Sequence, residues 1–553
     1  MSAIEVVLAM LLAVAASGYL VRMLPISLPL PLAQILLGAS IAVFTKHPVT
    51  LDPQIFFLLL LPPLLFLDGW RIPKEALLRD RVVILELALG LVVFTVVGMG
   101  FFIHWLLPSM PLPVAFALAA IISPTDPIAV SSIAARAPIP KRMMRILEGE
   151  SLLNDASGLV CFRFAVAAAM TGSFSLPKAA LNFLWVALAG VAVGVLLTWG
   201  INLAQRWLSR RFGEEGGTPI LVNLLIPFGA YLLAEHIHAS GILAAVAAGI
   251  SMSYVELSGQ ALATTRVQRR AVWDTVQFAL NGIMFVLLGE QLPWVLESAV
   301  ATVQQVGHFN PWWLMGYALA ICGGLVVLRF VWVWFALRWG LLIGRHESLP
   351  PPRVGLRLVA ATSVAGVRGA ITFAGVLTLP LAMADGSAFP SRDLAIFLAM
   401  MVILVSLVLA TFALPRLLDG LKLPAEPVDI RERETALKEA ATAAIAAIQA
   451  TQTRLSDDGH ADADVVIGAA NRAIDLYRRR LDTGAPDVDA DQLKEADRVE
   501  RTLRLAGLRA ERERIFELAR HRRISDDISR SLVRELDLME ERLGSGPSAE
   551  GHG

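Results

Sequence analysis

Apolar stretches of about 20 residues alternate with short polar segments from residue 3 to residue 415. A helix of that length crosses a hydrocarbon core about 30 Å thick and satisfies its own backbone hydrogen bonds. The pattern predicts thirteen transmembrane helices, or twelve if one of the short second, third and ninth stretches is re-entrant. The predicted spans are residues 3–23, 29–45, 54–69, 82–107, 112–135, 144–172, 180–205, 218–238, 240–256, 271–290, 312–337, 354–383 and 393–415.

Basic residues cluster in alternate connecting loops, with eighteen on one side and only Lys46, Lys178 and Arg392 on the other. Loops rich in Lys and Arg stay in the cytoplasm. We therefore expect a multi-pass protein of the inner (plasma) membrane, with its N-terminus outside and its C-terminal tail in the cytoplasm.

The composition separates two domains. The 553 residues are 56% hydrophobic and 17% charged, whereas a soluble protein carries about 25% charged residues, so an ordinary soluble enzyme is excluded. Residues 421–553 hold 22 basic and 27 acidic residues, against 26 and 21 in residues 1–420. We predict an all-α membrane domain over 1–420 and a soluble helical tail over 421–553, with the last ten residues disordered.

The tail has apolar residues at three- and four-residue spacing, which is typical of amphipathic helices that pack on one another. Helical stretches are predicted at Glu432–Arg454, Asp489–His521 and Asp526–Leu543. A solvated appendage or dimerisation element is the favoured interpretation, and regulation of transport is the second. The tail shows no nucleic-acid-binding pattern.

Charges inside apolar spans need a partner or a function, because a charge at bilayer depth costs a few kcal/mol or more. Glu86, Glu235 and Asp274 are predicted to be structural, and the histidines beside Glu235 to be interfacial. The two cysteines, Cys161 and Cys322, both lie in apolar runs and form no thiolate metal site. The charged residues in the spans are Glu86, Asp126, Glu150, Asp155, Arg163, Glu235, Asp274, Arg329 and Arg368.

The fifth span contains Ser123-Pro124-Thr125-Asp126-Pro127. Two prolines three residues apart remove two backbone donors and disfavour helix before them. We expect the helix to break at Thr125-Asp126, which frees carbonyl groups around a carboxylate. Broken backbone at membrane depth is tolerated where it lines a cavity or is buried in protein.

The sixth span presents Glu150, Ser151, Asn154 and Asp155 along one side of a helix. Asp155 is ten residues from Arg145 at the predicted cytoplasmic edge, or roughly 15 Å, which places it near the membrane middle. Carboxylates, a hydroxyl, an amide and freed carbonyls form the all-oxygen set that hard cations prefer.

The twelfth span contains Gly366-Val367-Arg368-Gly369-Ala370 and runs opposite to the fifth in the predicted topology. Interrupted helices of opposite direction are typical of inverted repeats around a midplane site. Arg368 is expected either to neutralise freed backbone ends or to form an ion pair, and a pair that supports the site is favoured.

At these residues the sequence resembles the sodium/proton exchangers of the NhaP and NHE type, a family of monovalent cation:proton antiporters. The similarity covers residues 5–420. It is carried by Leu61–Asp68, Ser123–Pro127, Glu150–Asp155 and Val367–Phe373.

The resemblance implies a cation and proton site made by Thr125 through its carbonyl, Asp126, Ser151 and Asp155, with Na⁺ bound at Asp126 and Asp155. It also implies that Glu150 pairs with Arg329 and that Asn154 and Arg368 stabilise the site. It further implies a moving core of spans four to six and eleven to thirteen, a dimer interface made by the rest, and electroneutral exchange. Arg163 has no counterpart in the motif, and it is expected either to pair with Glu86 or to modulate Asp155.

The predicted function is secondary antiport of Na⁺ or Li⁺ against H⁺ for pH and sodium homeostasis, without an enzymatic reaction and without a cofactor. K⁺/H⁺ antiport is the alternative in the same class. A non-transporting sensor that signals through the tail is the second class, and intramembrane hydrolysis by Asp126 and Asp155 is the third. Membrane lipid and a second copy of the chain are the expected partners.

Overall fold

The computed structural model describes residues 3–23, 28–44, 53–71, 81–127, 130–131, 141–171, 176–212, 217–257, 263–305, 312–342, 356–383, 386–419, 427–457 and 463–482, with parts of 504–540. The chain divides into two compact units, Met1–Leu421 and Lys422–Gly553. Within the described residues nearly every element is a helix, which confirms the predicted all-α class.

The first unit contains helices α1 to α14. Helix α4 is continuous but includes a π-helical segment, Glu86–Leu91, between Arg81–Leu85 and Val92–Leu106. The other bounds are α1 Ala3–Met23, α2 Leu30–Phe44, α3 Pro53–Arg71, α5 Leu112–Ile122, α6 Lys141–Thr171, α7 Leu176–Phe212, α8 Gly217–His236, α9 Gly241–Leu257, α10 Ala263–Gln305, α11 Trp312–Leu342, α12 Leu356–Val364, α13 Ala370–Leu377 and α14 Arg392–Leu418.

Seven of the described helices are long and apolar enough to cross a membrane, and four apolar helices of 10–17 residues accompany them. The predicted number of thirteen spans stays a prediction. Helix α10 is longer than its predicted span of 271–290. The helix continues past Glu290, whose side chain is buried and accepts a hydrogen bond from Gln291 Nε2 at 3.0 Å.

The helices of this unit form two bundles. In the first, which we call the core bundle, α4, α5, α6, α11, α12, α13 and α14 pack mainly on one another. In the second, the scaffold bundle, α3, α7 and α8 pack on α9, while α1 and α2 pack on α10. The bundles meet where α3 and α10 contact α13 and where α10 contacts α14. Helix α14 is mostly buried and lies at the centre of the unit.

The described residues of the second unit include two packed helices, α15 Pro427–Asp457 and α16 Ala463–Asp482. Ala441, Ala470 and Ile474 are among its buried residues. The predicted helix Glu432–Arg454 lies within α15. The predictions for Asp489–His521 and Asp526–Leu543 fall largely, and that for the last ten residues entirely, outside the described residues.

Candidate ion-binding site

The fifth predicted span is interrupted where its prolines lie. Helix α5 ends at Ile122, residues 123–126 leave the helix, and Pro127 is helical again. Pro124 and Pro127 lack an N–H donor and disfavour helix in the residue before each of them. The predicted break at Thr125-Asp126 is therefore present in the fold.

The twelfth span is interrupted between α12 and α13, where residues 366–369 are not helical. The two interruptions meet directly, because the backbone N–H of Asp126 donates to the carbonyl of Val367 at 2.7 Å. Each broken segment thus satisfies part of the hydrogen-bonding capacity that the other has lost.

Gly369 lets the Asp126 carboxylate approach the start of α13. A Cβ at Gly369 would lie 1.7 Å from Asp126 Oδ2, which no side chain could tolerate without moving the carboxylate. The partial positive charge at a helix N-terminus favours a carboxylate there. Gly369 therefore sets the position of Asp126 at the crossing.

Arg368 holds the crossing through backbone carbonyls. Its side chain is buried, its Nε donates to the carbonyl of Ile122 at 2.9 Å, and its guanidinium also donates to the carbonyl of Gly366. Among the described residues these contacts go to carbonyl groups, as expected if Arg368 neutralises freed backbone ends, while a supporting ion pair stays a prediction. The physical reason is that interrupted helices leave carbonyls without intrahelical donors, and these carry partial negative charge.

Glu150 and Arg329 form a bidentate ion pair inside the core bundle. Arg329 Nη1 and Nη2 lie 2.5 and 2.6 Å from the two carboxylate oxygens of Glu150. The side chains are 1% and 3% exposed. Arg329 Nε also donates to the carbonyl of Thr362 at 3.1 Å, so the pair joins α6, α11 and α12. Such geometry is the strong form of an ion pair.

Thr125 is held by neighbours from α6. Asn154 Nδ2 donates to Thr125 Oγ1 at 3.0 Å, and Thr125 Oγ1 donates to Glu150 Oε1 at 3.4 Å. Asn154 does not line the small cavity described below, so it contacts a cavity residue rather than the cavity itself. The pair Glu150–Arg329 and the cavity are thereby connected through Thr125.

A small cavity, which we call the ion cavity, lies at the crossing and has a volume of about 20 Å³. That volume holds roughly one water-sized species. The buried hydroxyl of Thr372 has no hydrogen-bond partner among the described residues, and Thr372 lines the same cavity. The other oxygen-bearing side chains that line it are Asp68, Thr125, Asp126, Ser151, Asp155 and Asn281.

A larger cavity of about 480 Å³, the vestibule, adjoins the ion cavity. Arg71, Glu148 and Asp274 are among its lining residues, and Arg71 pairs with Asp274. Asp68 and Asn281 line both cavities. The ion cavity thus opens toward the side of the protein that carries Arg71. The loop charges predict that this side faces the cytoplasm.

Three residues of the ion cavity were not predicted from the sequence. Asp68 lies close to the end of its span, where a carboxylate usually faces water, and Asn281 and Thr372 are single polar residues in apolar runs. Their polarity inside a predicted span was the available signal. Only the packing of α3 and α10 against α13 brings them to the crossing.

Arg163 pairs with Glu235 rather than with Glu86, its expected partner. Its Nη2 lies 3.0 Å from Glu235 Oε1, so the ion pair joins α6 in the core bundle to α8 in the scaffold bundle. The backbone N–H of Gly241 also donates to Glu235 Oε1, at 3.4 Å. Helices α6 and α8 belong to different bundles, and residue spacing within one helix does not predict such a partner.

Two interrupted helices that cross beside a small acidic cavity are typical of membrane carriers for ions. The family model "Sodium/hydrogen exchanger, transmembrane" matches residues 8–420. The chain belongs to this family of multi-pass membrane antiporters.

Two curated relatives illustrate the similarity. The chain is 41% identical to an uncharacterized Na(+)/H(+) exchanger, YjcE, of Escherichia coli over 542 residues, which cover 97% of this chain and 98% of the relative. It is 43% identical to a sodium, potassium, lithium and rubidium/H(+) antiporter of Bacillus pumilus over 416 residues, 74% of this chain and 60% of that protein.

Among solved structures, the sodium proton antiporter MjNhaP1 of Methanocaldococcus jannaschii at pH 8 has a similar fold. Its TM-score is 0.57 at 21% identity, over 76% of this chain and 99% of the archaeal chain. The similarity supports the predicted fold class.

Proposed function

We propose that this protein exchanges Na⁺ or Li⁺ for H⁺ across the plasma membrane by alternating access. The observation that carries the proposal is that Asp126 and Asp155 line one cavity of about 20 Å³ at the crossing of two broken helices. Carboxylate, hydroxyl and amide oxygens around that cavity suit a hard cation. A relative that is named a sodium, potassium, lithium and rubidium/H(+) antiporter supports the same class of substrate.

The cation flux and the proton flux are coupled because both ions use the same site. An ionised Asp155 in a poorly hydrated cavity is costly at membrane depth, so it binds either a proton or a cation. Each loaded form crosses more easily than the empty, ionised form because its charge is compensated. The two ions therefore compete for one carboxylate and move in opposite directions.

Each side chain has a separate proposed role. Asp126, Asp155, Ser151 and the carbonyl of Thr125 bind the cation, and Asp155 also carries the proton. Asn154 positions Thr125 through the hydrogen bond at 3.0 Å.

Two further groups hold the framework of the site. The Glu150–Arg329 pair keeps the core bundle rigid, and Arg368 compensates the carbonyls of the crossing. All three side chains are buried, so their contacts do not depend on solvent.

Exchange is proposed to be electroneutral, one cation for one proton, from the Asn154-Asp155 pair that the family resemblance implies. The core bundle is proposed to move against the scaffold bundle, and two scaffold bundles to form a homodimer. The N-terminus lies outside and the tail in the cytoplasm in this proposal, as the loop charges favour. K⁺ is the second candidate substrate, because the relative from Bacillus pumilus is named for potassium as well as sodium.

The test is proton flux in proteoliposomes with a pH-sensitive dye, after addition of Na⁺, Li⁺ or K⁺, with the membrane potential clamped or free. Wild type should respond, Asp155→Asn should fall to the level of protein-free liposomes, and clamping should not change the rate. Asp393→Asn, at an exposed carboxylate at the start of α14, is the matched control and should retain flux. Normal transport by Asp155→Asn would refute the site, and flux with K⁺ alone would change the substrate.

A further inference from the structure

The ion cavity and the vestibule share a junction. Four residues line both cavities: Asp68 on α3, Asn281 on α10, Pro127 after the first break, and Ser151 on α6. Two of them belong to the core bundle and two to the scaffold bundle. An ion that passes from the vestibule to the ion cavity therefore crosses between side chains of both bundles.

Asp68 and Asn281 are attached to the scaffold bundle by their immediate neighbours. At Gly69, a Cβ would lie 2.5 Å from the carbonyl oxygen of Val246 in α9, so α3 and α9 are in backbone contact there. At Gly282, a Cβ would lie 2.4 Å from Val14 Cγ1 in α1. Close contact of small residues is how membrane helices pack tightly. The two junction residues must then stay with the scaffold when the bundles move relative to each other.

Asp126, Ser151 and Asp155 lie on the core bundle, so they would travel with the bound ion. Asp68 and Asn281 offer a carboxylate and an amide oxygen, which are ligands of the same hard-cation type. Their contribution to the site exists only while the junction faces the vestibule.

Resting on the proposed antiport, we infer that Asp68 and Asn281 are ligands for the alkali cation in the vestibule-open state alone. They set the affinity for the cation on that side of the membrane. When the core bundle carries the ion across, both ligands are left behind. The site that faces the opposite side is then made by core residues only and binds the cation less tightly.

The test measures the cation concentration for half-maximal proton flux separately from each side, in right-side-out and inside-out membrane vesicles, with Na⁺ as the probe. The vestibule side is identified first. A Ser131→Cys variant, with Cys161 and Cys322 replaced by Ser, is labelled with a membrane-impermeant maleimide, because Ser131 lines the vestibule.

For Asp68→Asn we expect the half-saturating Na⁺ concentration to rise about tenfold on the vestibule side, because a charge in contact with the ion is removed. On the other side it should change less than about twofold, because the core site lacks that contact. Asn281→Ala should also raise the half-saturating Na⁺ concentration on the vestibule side, but by a smaller factor. This variant still tests the inference if Asp68→Asn does not fold. Asp393→Asn is again the control.

The inference would be overturned if the half-saturating Na⁺ concentration changed equally on both sides of the membrane, or if it changed on neither side in the two variants. The proposed function is tested by a different result: it would be refuted if Asp155→Asn still transported. Loss of transport in Asp155→Asn together with unaltered sidedness in Asp68→Asn would leave antiport standing and remove the side-specific ligands.

Discussion

Helix α6 carries two ion pairs in opposite surroundings. Glu150 meets Arg329 inside the core bundle with two contacts of 2.5 and 2.6 Å, and both side chains are almost fully buried. Arg163, roughly 20 Å further along the helix, meets Glu235 of the scaffold bundle through one contact of 3.0 Å. Those two side chains are 47% and 34% exposed.

The difference separates a rigid interior from a boundary that can open. A buried pair is strongly destabilised when one partner is lost, because the other charge stays buried without compensation. Arg163 is 18 residues from Arg145 at the predicted cytoplasmic edge, roughly 27 Å along the helix, which places the pair near the opposite membrane surface and not at bilayer depth. An exposed pair there contributes little to stability, so it can break and re-form. The core bundle is thus held as a unit by Glu150–Arg329, while the link across the bundles is of the kind that permits relative motion.

The largest expected effect on stability comes from breaking the buried Glu150–Arg329 pair. Arg329→Ala should lower the free energy of unfolding by about 3–5 kcal/mol, because Glu150 is left buried and unpaired. Thermal unfolding of the detergent-purified protein measures this, and a low yield of folded protein is the expected companion result. Glu150→Gln/Arg329→Met, which removes both charges, should recover part of the loss. A normally folded Arg329→Ala protein with altered ion preference would contradict a structural role.

A substitution that disturbs the interior of the core bundle without changing its charge should affect stability less than Arg329→Ala does. It should nevertheless reduce transport strongly. Gly369→Ala places a Cβ against Asp126 Oδ2 and must displace that carboxylate from the crossing. Cation-dependent proton flux should fall by at least about tenfold, because ligand misplacement by an ångström has large effects. Gly323→Ala in α11 is the matched control, since its Cβ would meet nothing within 4 Å. Equal flux in the two variants would mean that Asp126 need not hold this position.

The smallest effect on stability belongs to the boundary pair. Arg163→Gln or Glu235→Gln should change the free energy of unfolding by less than about 1 kcal/mol. The population ratio of the vestibule-open state to the state that faces the opposite side should shift by up to about fivefold. A contact worth up to about 1 kcal/mol changes an equilibrium by that factor. Thiol labelling of Ser131→Cys in the vestibule reports that shift. The exchanged pair Arg163→Glu/Glu235→Arg should restore the wild-type labelling rate, and a loss of stability as large as that of Arg329→Ala would invalidate the comparison.

The sequence was sufficient for features that act locally. Pro124 and Pro127 remove two backbone donors within three residues, and the break beside Asp126 was predicted from them. Pro62 and Pro63 lie inside the continuous helix α3, so prolines alone do not decide where a helix breaks. The glycines around Arg368 likewise mark the second break. Helix α10 extends beyond both ends of its predicted span of 271–290, because the apolar stretch marks the part that crosses the membrane and not the ends of the helix.

The partners of charged residues needed the packing of the helices. Glu150 and Arg329 are 179 residues apart, and only the family resemblance indicated their pairing. Arg163 finds Glu235 on the other bundle, and Asp68 reaches the ion cavity because α3 packs beside α13. Helical periodicity gives the face on which a residue lies but not the helix that covers that face.

The claim that one carboxylate site serves both ions is tested most directly by proton release from the purified protein. Na⁺ or Li⁺ is added to the detergent-solubilised protein in weak buffer, and the released protons are titrated beside calorimetric binding of the cation. We predict one proton released for each cation bound, and neither release nor tight binding in Asp155→Asn. Cation binding without proton release, or equal release from Asp155→Asn, would contradict a shared site.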